Sequence, residues 1–426
     1  MKISLRFFLA SLFFALGVAS NAFAHDEGKE AGHHQHGTHE ECPIPKSAMD
    51  ILNCVRENHP KIRAAVLQEK YSQSVQSRES QIPNPNLNFE SVSGDMAGVS
   101  RKETKVSLMQ PLQLGGQRGA RVEIAEAQSE RSRAELEEVR ANVLIETVVN
   151  LYRLNQLKLQ SESAERTIQA YESSISSLKR RAALSPEQKV SLSVFQMALA
   201  ETRLRVLSIS EERRALSLYF HRATGNSYDE IKNALPTVYK WPKLSESAKS
   251  MSPARALVLA ENRTAQAELK FAQAESWPVL EIGPMWQMEE EGSEKANLFG
   301  LQLSMPLPIF NVNGGGRKLA RVAVDNSNEL VKILERNEAH EREEILHNYE
   351  DSLKALQASP QFADIDQENR KNQKLAASGL IPVSLIIEAQ RSNAELLNTL
   401  QDRELKTLHA LWTIYKLDGR ILTESL

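Results

Sequence analysis

Five histidines, His25, His33, His34, His36 and His39, fall within fifteen residues, beside Asp26, Glu27, Glu30, Glu40 and Glu41. Neutral imidazoles bind divalent zinc, cobalt, nickel and copper, and a pliable segment can gather several such ligands around one ion. Their spacing is irregular, so the expected chemistry is adaptable metal contact rather than a rigid centre. A solvated charged tail is the other reading of the same residues. Two cysteines follow, Cys42 and Cys54. In an oxidising compartment a pair this close most economically forms one disulfide, with shared metal binding as the alternative. His39-Glu40-Glu41 before Cys42 is the wrong context for lipid attachment. No nucleophile–base arrangement and no phosphate loop is visible. The histidines also lack the rigid, supported positions that metalloenzymes give their ligands. Neither catalysis nor a cofactor is therefore expected, and a net charge of −3 gives no argument for nucleic acid.

The elements around these residues begin with residues 1–24, which read as a secretory signal. Lys2 and Arg6 supply its positive start, Phe7 to Val18 its apolar stretch, and Ala22-Phe23-Ala24 its small-residue end. Residues 25–45 read as a His-rich flexible leader. No later stretch approaches the roughly 20 apolar residues of a membrane-spanning helix. Any membrane contact must then come from closed strand pairing.

The rest of the chain is written twice. Pro83 and Pro278 lie 195 positions apart, as do Pro111 and Pro306. Pro186 matches Pro382 at an offset of 196, and Tyr219 matches Tyr415 at the same offset. The repeats are expected over 46–240 and 241–426, each ordered helix, strand, strand, long helix, helix. Residues 120–185 contain neither Gly nor Pro over 66 positions. An unbroken helix of that length would span roughly 100 Å. Its counterpart, 317–378, is interrupted only by Pro360, where a kink or break is expected. The returning helices run to Gly225 and Gly419, residues suited to helix C-termini.

Between the helices lie four segments with a period of two. Leu87 and Phe89 alternate with Asn86, Asn88 and Glu90; Val106 and Leu108 with Lys105 and Ser107. Leu280 and Ile282 alternate with Glu281 and Gly283; Phe299, Leu301, Leu303 and Met305 with Gly300, Gln302 and Ser304. This is the pattern of barrel strands with lipid on one face and water on the other. Pro284 argues against the third strand, since it removes a ladder donor. Residues 94–98 and 289–292 are polar and are expected as loops at the hairpin tips. Four strands cannot close a barrel alone, so several copies must pool them. The expected fold class is mainly α, with duplicated coiled-coil helices and a small transmembrane β part.

The run Gln81-Ile82-Pro83-Asn84-Pro85-Asn86-Leu87 resembles the helix-to-strand signature of TolC-like outer-membrane efflux factors. So does Gln110-Pro111-Leu112-Gln113-Leu114-Gly115-Gly116-Gln117-Arg118. Met305-Pro306-Leu307-Pro308-Ile309-Phe310-Asn311 is typical of the heavy-metal branch, similar to CzcC and CusC. Asn58-His59-Pro60 and Glu388-Ala389-Gln390-Arg391 also fit. The resemblance covers about residues 46–420. It implies a homotrimer in outer-membrane lipid, with a periplasmic helical tunnel. It also implies a periplasmic adaptor, an inner-membrane RND-type pump, and export of divalent heavy-metal cations. Drug or organic-solute efflux is the alternative cargo, and a periplasmic coiled-coil adaptor or scaffold the alternative class. By the same resemblance, Leu184, Ser185, Gly379 and Leu380 would sit at the adaptor-docking tips, and Glu388 and Glu187 would face the tunnel as a gate. Carboxylates in a narrow ring favour cations; a solvated surface position is the other reading for both.

Overall fold

The computed structural model describes residues 42–96, 98–237, 241–244, 250–360, 362–377 and 382–424. The signal segment and the five leader histidines lie outside these, as do Gly379 and Leu380. Helix α1 (Ala48–Asn58) starts at Ser47, which forms a capping box with Asp50. Asp50 accepts the backbone N–H groups of Lys46 and Ser47, and these bonds lower its pKa. Helix α2 (Pro60–Glu79) follows directly and leads into β1 (Asn86–Met96) and β2 (Val99–Leu112). Then come α3 (Gln117–Lys179), α4 (Pro186–Thr224) and the short α5 (Tyr228–Ile231). The order then recurs as α6 (Pro253–Ala274), β3 (Leu280–Glu291), β4 (Glu294–Ser304), α7 (Gly314–Ala358), α8 (Phe362–Ala377) and α9 (Val383–Leu417).

Helix α3 runs 63 residues without a break, about 95 Å of axis. Its counterpart divides into α7 and α8 at Pro360, as a proline inside a helix requires. Ser359 before it is extended (φ −91°, ψ 154°), the conformation that a following proline favours. Gly225 and Gly419 end α4 and α9 at φ 79° and 66°, a region that favours glycine.

The four strands form one antiparallel sheet in the order β1-β2-β3-β4, leaving β1 and β4 as edges. Two expectations need correction. The segments 94–98 and 289–292 are largely strand: Asp95 pairs with Ser100, Met96 with Val99, and Glu291 with Glu294. Their polarity marks the end of the apolar band and not the end of the ladder, and Gly98 and Gly292 (φ 78° and 57°) make much tighter turns. Pro284 does sit inside β3. It pairs with Leu301 on β4, while the β2–β3 ladder has no partners at Leu108 and Met109. A side chain at neighbouring Gly283 would overlap the Leu108 carbonyl, so glycine lets the two backbones close around the missing donor. Met305 lies one residue past the end of β4.

The cores are strung along α3. One joins Leu52, Leu144, Val148, Tyr349, Leu408, Leu411 and Trp412. A second joins Ile51, Val55, Leu151, Leu154 and Phe220. A third, near the helix turns, joins Tyr171, Ile175, Phe195, Leu199 and Ile387. Arg342 and Asp418 form a buried ion pair (2.6 Å) that ties α7 to the end of α9.

Candidate channel wall and tunnel tips

Residues opposite one another in an antiparallel ladder share a face, so the register assigns every strand side chain. Two apolar rows cross the sheet on one face. Leu87 opposite Leu108 and Pro284 opposite Leu301 make the middle row, level with one another on either side of the gap in the β2–β3 ladder, and Phe89, Val106, Trp286 and Phe299 the next towards the hairpins. Ile282 and Leu303 continue the face towards the helices, and Leu112 with Leu280 closes it. Leu87, Phe89, Leu108, Phe299, Leu301 and Leu303 are exposed. The opposite face carries Asn86, Asn88, Glu90, Lys105, Gln287, Glu289, Gln302 and Ser304. On β3 the apolar positions run from Leu280 to Met288, eight residue steps and about 27 Å of strand, while Thr104 and Asn297 flank Met288 at the upper limit. At the ~40° tilt of barrel strands this projects to about 20 Å. Beyond it both faces turn charged, with Arg101 paired to Glu291 at 2.7 Å and Lys102 opposite Glu290.

At the far end of the helices, Ser185 caps α4 through a capping box with Gln188, and Pro186 occupies the first turn. This explains locally why the chain reverses there. Leu184 is half-buried, and Glu187 is exposed in the first turn of α4. Glu388 is exposed on α9, immediately after Ile387, whose side chain enters the same apolar cluster as Phe195 of α4. The starts of α4 and α9 are thereby held side by side on α3.

The Glu388-to-Arg391 run does more than its motif suggested. Gln390 is buried and accepts from Thr167 Oγ1 at 3.3 Å. Arg391 donates to Glu201 at 2.9 Å, joining α9 to α4. A cavity of about 320 Å³ lies between α3, α4, α8 and α9, lined by Gln160, Thr167, Glu201, Gln390, Arg391 and Asn398 among others. Along its wall Gln160 donates to Asn398 at 3.0 Å, and one turn further along α3 Gln156 donates to Glu404 at 2.8 Å. Burial raises the Glu404 pKa, partly offset by the Gln156 bond. This seam of Gln, Asn and Thr at intervals of three and four has the spacing of an apolar stripe but the opposite polarity. Its only sequence signal is polar residues where a coiled coil wants leucine.

Cys42 and Cys54 are joined as a disulfide, with Cα atoms 6.1 Å apart. Asn58 Nδ2 donates to Cys42 Sγ at 3.2 Å, and the Cys42 N–H donates to the Thr224 carbonyl at 3.1 Å. The bridge therefore staples the start of the described chain to α1 and to the end of α4. Among the described residues, no group of three or more His, Cys, Asp or Glu side chains is placed to hold a metal, and no helix is long and apolar enough to cross a membrane.

Comparison with known proteins agrees with this geometry. The Cobalt-zinc-cadmium resistance protein CzcC of Cupriavidus metallidurans is 27% identical over 246 residues, 55% of this chain. The alignment spans 56% of that relative's own length. Among solved structures, the CmeC outer membrane channel of Campylobacter jejuni superposes with a TM-score of 0.67 at 11% identity, covering 92% of this chain and 91% of that one. CusC superposes with a TM-score of 0.61 at 14% identity, covering 92% and 95%. At such identities the likeness establishes the fold: long helices and four strands arranged as in these channels. Residues 51–214 match the family described as Outer membrane efflux protein.

Proposed function

We propose that this chain is the outer-membrane channel of a tripartite export system, with its strands in the outer membrane and its helices in the periplasm. The observation that carries the reading is the sheet. One face carries exposed apolar rows across all four strands, the other is mostly polar, and both edges are open. In hydrocarbon each unpaired backbone group costs several kcal/mol, so β4 of one copy must pair with β1 of the next until the wall closes. Three copies would pool three sets of four strands, and α3, α4 and α7–α9 would continue the wall as a tunnel. The chain is then a passive duct, which catalyses nothing. Energy comes from an inner-membrane RND-type pump, through a periplasmic adaptor that docks at Leu184 and Ser185 and at Gly379 and Leu380.

For cargo we infer divalent heavy-metal cations. The similarity to CzcC supports this, and so does the chemistry of His25, His33, His34, His36 and His39, which would contact such ions as they pass. Carboxylates of Glu388 and Glu187, repeated in three copies, would favour cations at the tunnel's narrow end. Deleting the gene and measuring growth on zinc, cobalt, cadmium, copper and several antibiotics tests the assignment. Sensitisation to divalent metals, reversed by the intact gene, is expected. Sensitisation to antibiotics alone would replace the cargo with organic solutes and leave the channel standing. A water-soluble monomer in the periplasmic fraction would overturn the channel itself.

A further inference from the structure

The apolar face does not stop where the strands stop. On β4 the positions Phe299, Leu301 and Leu303 continue with the same alternation into Met305, Leu307 and Ile309, and all six are exposed. Phe310 beside them is 99% exposed. Two more exposed apolar side chains, Leu114 and Trp277, come to the same end of the sheet. Gly115 packs so closely on Trp277 that a side chain there would overlap it, and Gln117 Nε2 donates to the Trp277 carbonyl at 2.8 Å. Asn313 Nδ2 donates to the Ala272 carbonyl at 3.0 Å, which ties the 305–313 connection to the end of α6.

Charge changes at once beyond this belt. Residues 112–122 and 304–324 carry Arg118, Arg121, Arg317, Lys318 and Arg321 and not one acid, in a chain with 55 Asp and Glu. Glu79 pairs with Arg121 at 3.3 Å, while Arg118, Lys318 and Arg321 stand exposed. The strands alone offer about 20 Å of apolar height, whereas an outer-membrane barrel presents a band of about 25 Å. Met305 to Leu307 adds about 7 Å of chain before the Ile309 N–H turns back to the Leu307 carbonyl at 2.8 Å, enough to make up the difference.

We infer that the connections ending the sheet, chiefly residues 305–312 with Leu114 and Trp277, form an interfacial anchor in the inner leaflet of the membrane. Their apolar side chains enter the acyl boundary, and Arg118, Lys318 and Arg321 lie among the phosphates of anionic phospholipid. Two observations select lipid as the occupant: continuity with the apolar face of the sheet, and a cationic border opposite anionic headgroups. The inference rests on the channel reading above.

Spin labels test it. Cys42 and Cys54 are bonded to each other, so a single introduced thiol can be labelled selectively. Full-length mature protein carrying Phe310→Cys, Phe299→Cys or Leu207→Cys is reconstituted into vesicles of phosphatidylethanolamine and phosphatidylglycerol. Each nitroxide is then probed with oxygen, which partitions into the bilayer, and with a water-soluble nickel chelate. Oxygen is expected to dominate at 310 as at 299, by roughly severalfold, with nickel dominating at 207 on α4. If 299 reports lipid while 310 reports water, the anchor is wrong and the channel survives. If 310 is shielded from both reagents, a second copy covers the loop and the anchor is again wrong. If 299 itself shows no lipid contact, both readings fall. Ile309→Cys serves as the second label site should Phe310→Cys fail to assemble. Lys318→Gln with Arg321→Gln should lower the preference for phosphatidylglycerol over phosphatidylcholine by roughly fivefold per charge, and an unchanged preference removes the headgroup contact.

Discussion

Leu87 and Asn88 are neighbours on β1, both exposed, and the register puts them on opposite faces. Leu87 belongs to the row through Leu108, Pro284 and Leu301, midway between the Leu280 and Met288 ends of the apolar face. If that face meets hydrocarbon, Leu87 lies near the bilayer midplane. An arginine on the lipid face of a barrel costs about 2–4 kcal/mol at that depth. Leu87→Arg should therefore lower the folded population about 30-fold to several hundredfold per chain, and the cost recurs in every copy of the closed assembly. Asn88→Arg places the same charge one residue away on the wet face, where an exposed substitution stays within about 0.5 kcal/mol. Both variants would be refolded into vesicles across a urea series and followed by tryptophan fluorescence and by gel mobility of the intact oligomer. Leu87→Arg should shift the midpoint sharply and weaken the oligomer band, and Asn88→Arg should match the parent. Equal damage from both substitutions would mean that the sheet has no lipid face. Full tolerance of Leu87→Arg would mean that this face lies in water.

Three further outcomes follow from the helical part. Asp418→Ala takes the carboxylate from buried Arg342, whose side chain is 8% exposed, and should cost about 3–5 kcal/mol in denaturant titration. The double change Arg342→Met with Asp418→Leu should recover most of that loss. Cys42→Ser opens a bridge of sequence separation 12 and should cost about 3 kcal/mol, with no added effect of reductant on the variant. His59 accepts the Lys61 N–H through Nδ1 at 3.3 Å, a bond that needs that nitrogen unprotonated, and burial lowers its pKa. The unfolded ring takes up a proton near pH 6.5, before the folded one does. The stability that His59 contributes is thus complete above about pH 6.5 and declines as pH falls from there towards its lower folded value. His59→Asn, which retains an acceptor at the cap but does not titrate, should flatten that part of the stability–pH curve.

The parts of this fold that were legible in the sequence are those written by local rules. A period of two in Leu87 to Glu90 or Phe299 to Ser304 needs only that successive side chains alternate. The break at Pro360 and the caps at Ser185 and Gly225 follow from backbone chemistry at single residues. The hairpin tips were less legible because polarity signals both a turn and a strand that has left the apolar layer. Asp95 and Glu289 are of the second kind. Pro284 could not be placed from its own residue type, since what accommodates it is Gly283 against the Leu108 carbonyl on another strand. The Arg342–Asp418 pair and the Arg391–Glu201 link each join segments far apart in sequence. No local pattern announces which of the chain's many charges will meet.

What the chain leaves unfinished has the same character in its strands and its helices. β1 and β4 end the sheet with open edges. On α4, Val190, Met197 and Leu204 fall on a seven-residue spacing and are exposed, as are Leu319, Val322, Leu330 and Ile333 on α7. A heptad stripe turned to water is a coiled-coil seam without its partner, just as an open edge is a ladder without its next strand. Both deficits are met by one kind of neighbour, a further copy of this chain set around a common axis. A covering adaptor could bury the helix stripes but could not continue the β-ladder within lipid. That is the physical reason to expect the closed wall and the tunnel to form in a single assembly step, with variants on β1 weakening the tunnel and variants on α4 weakening the barrel.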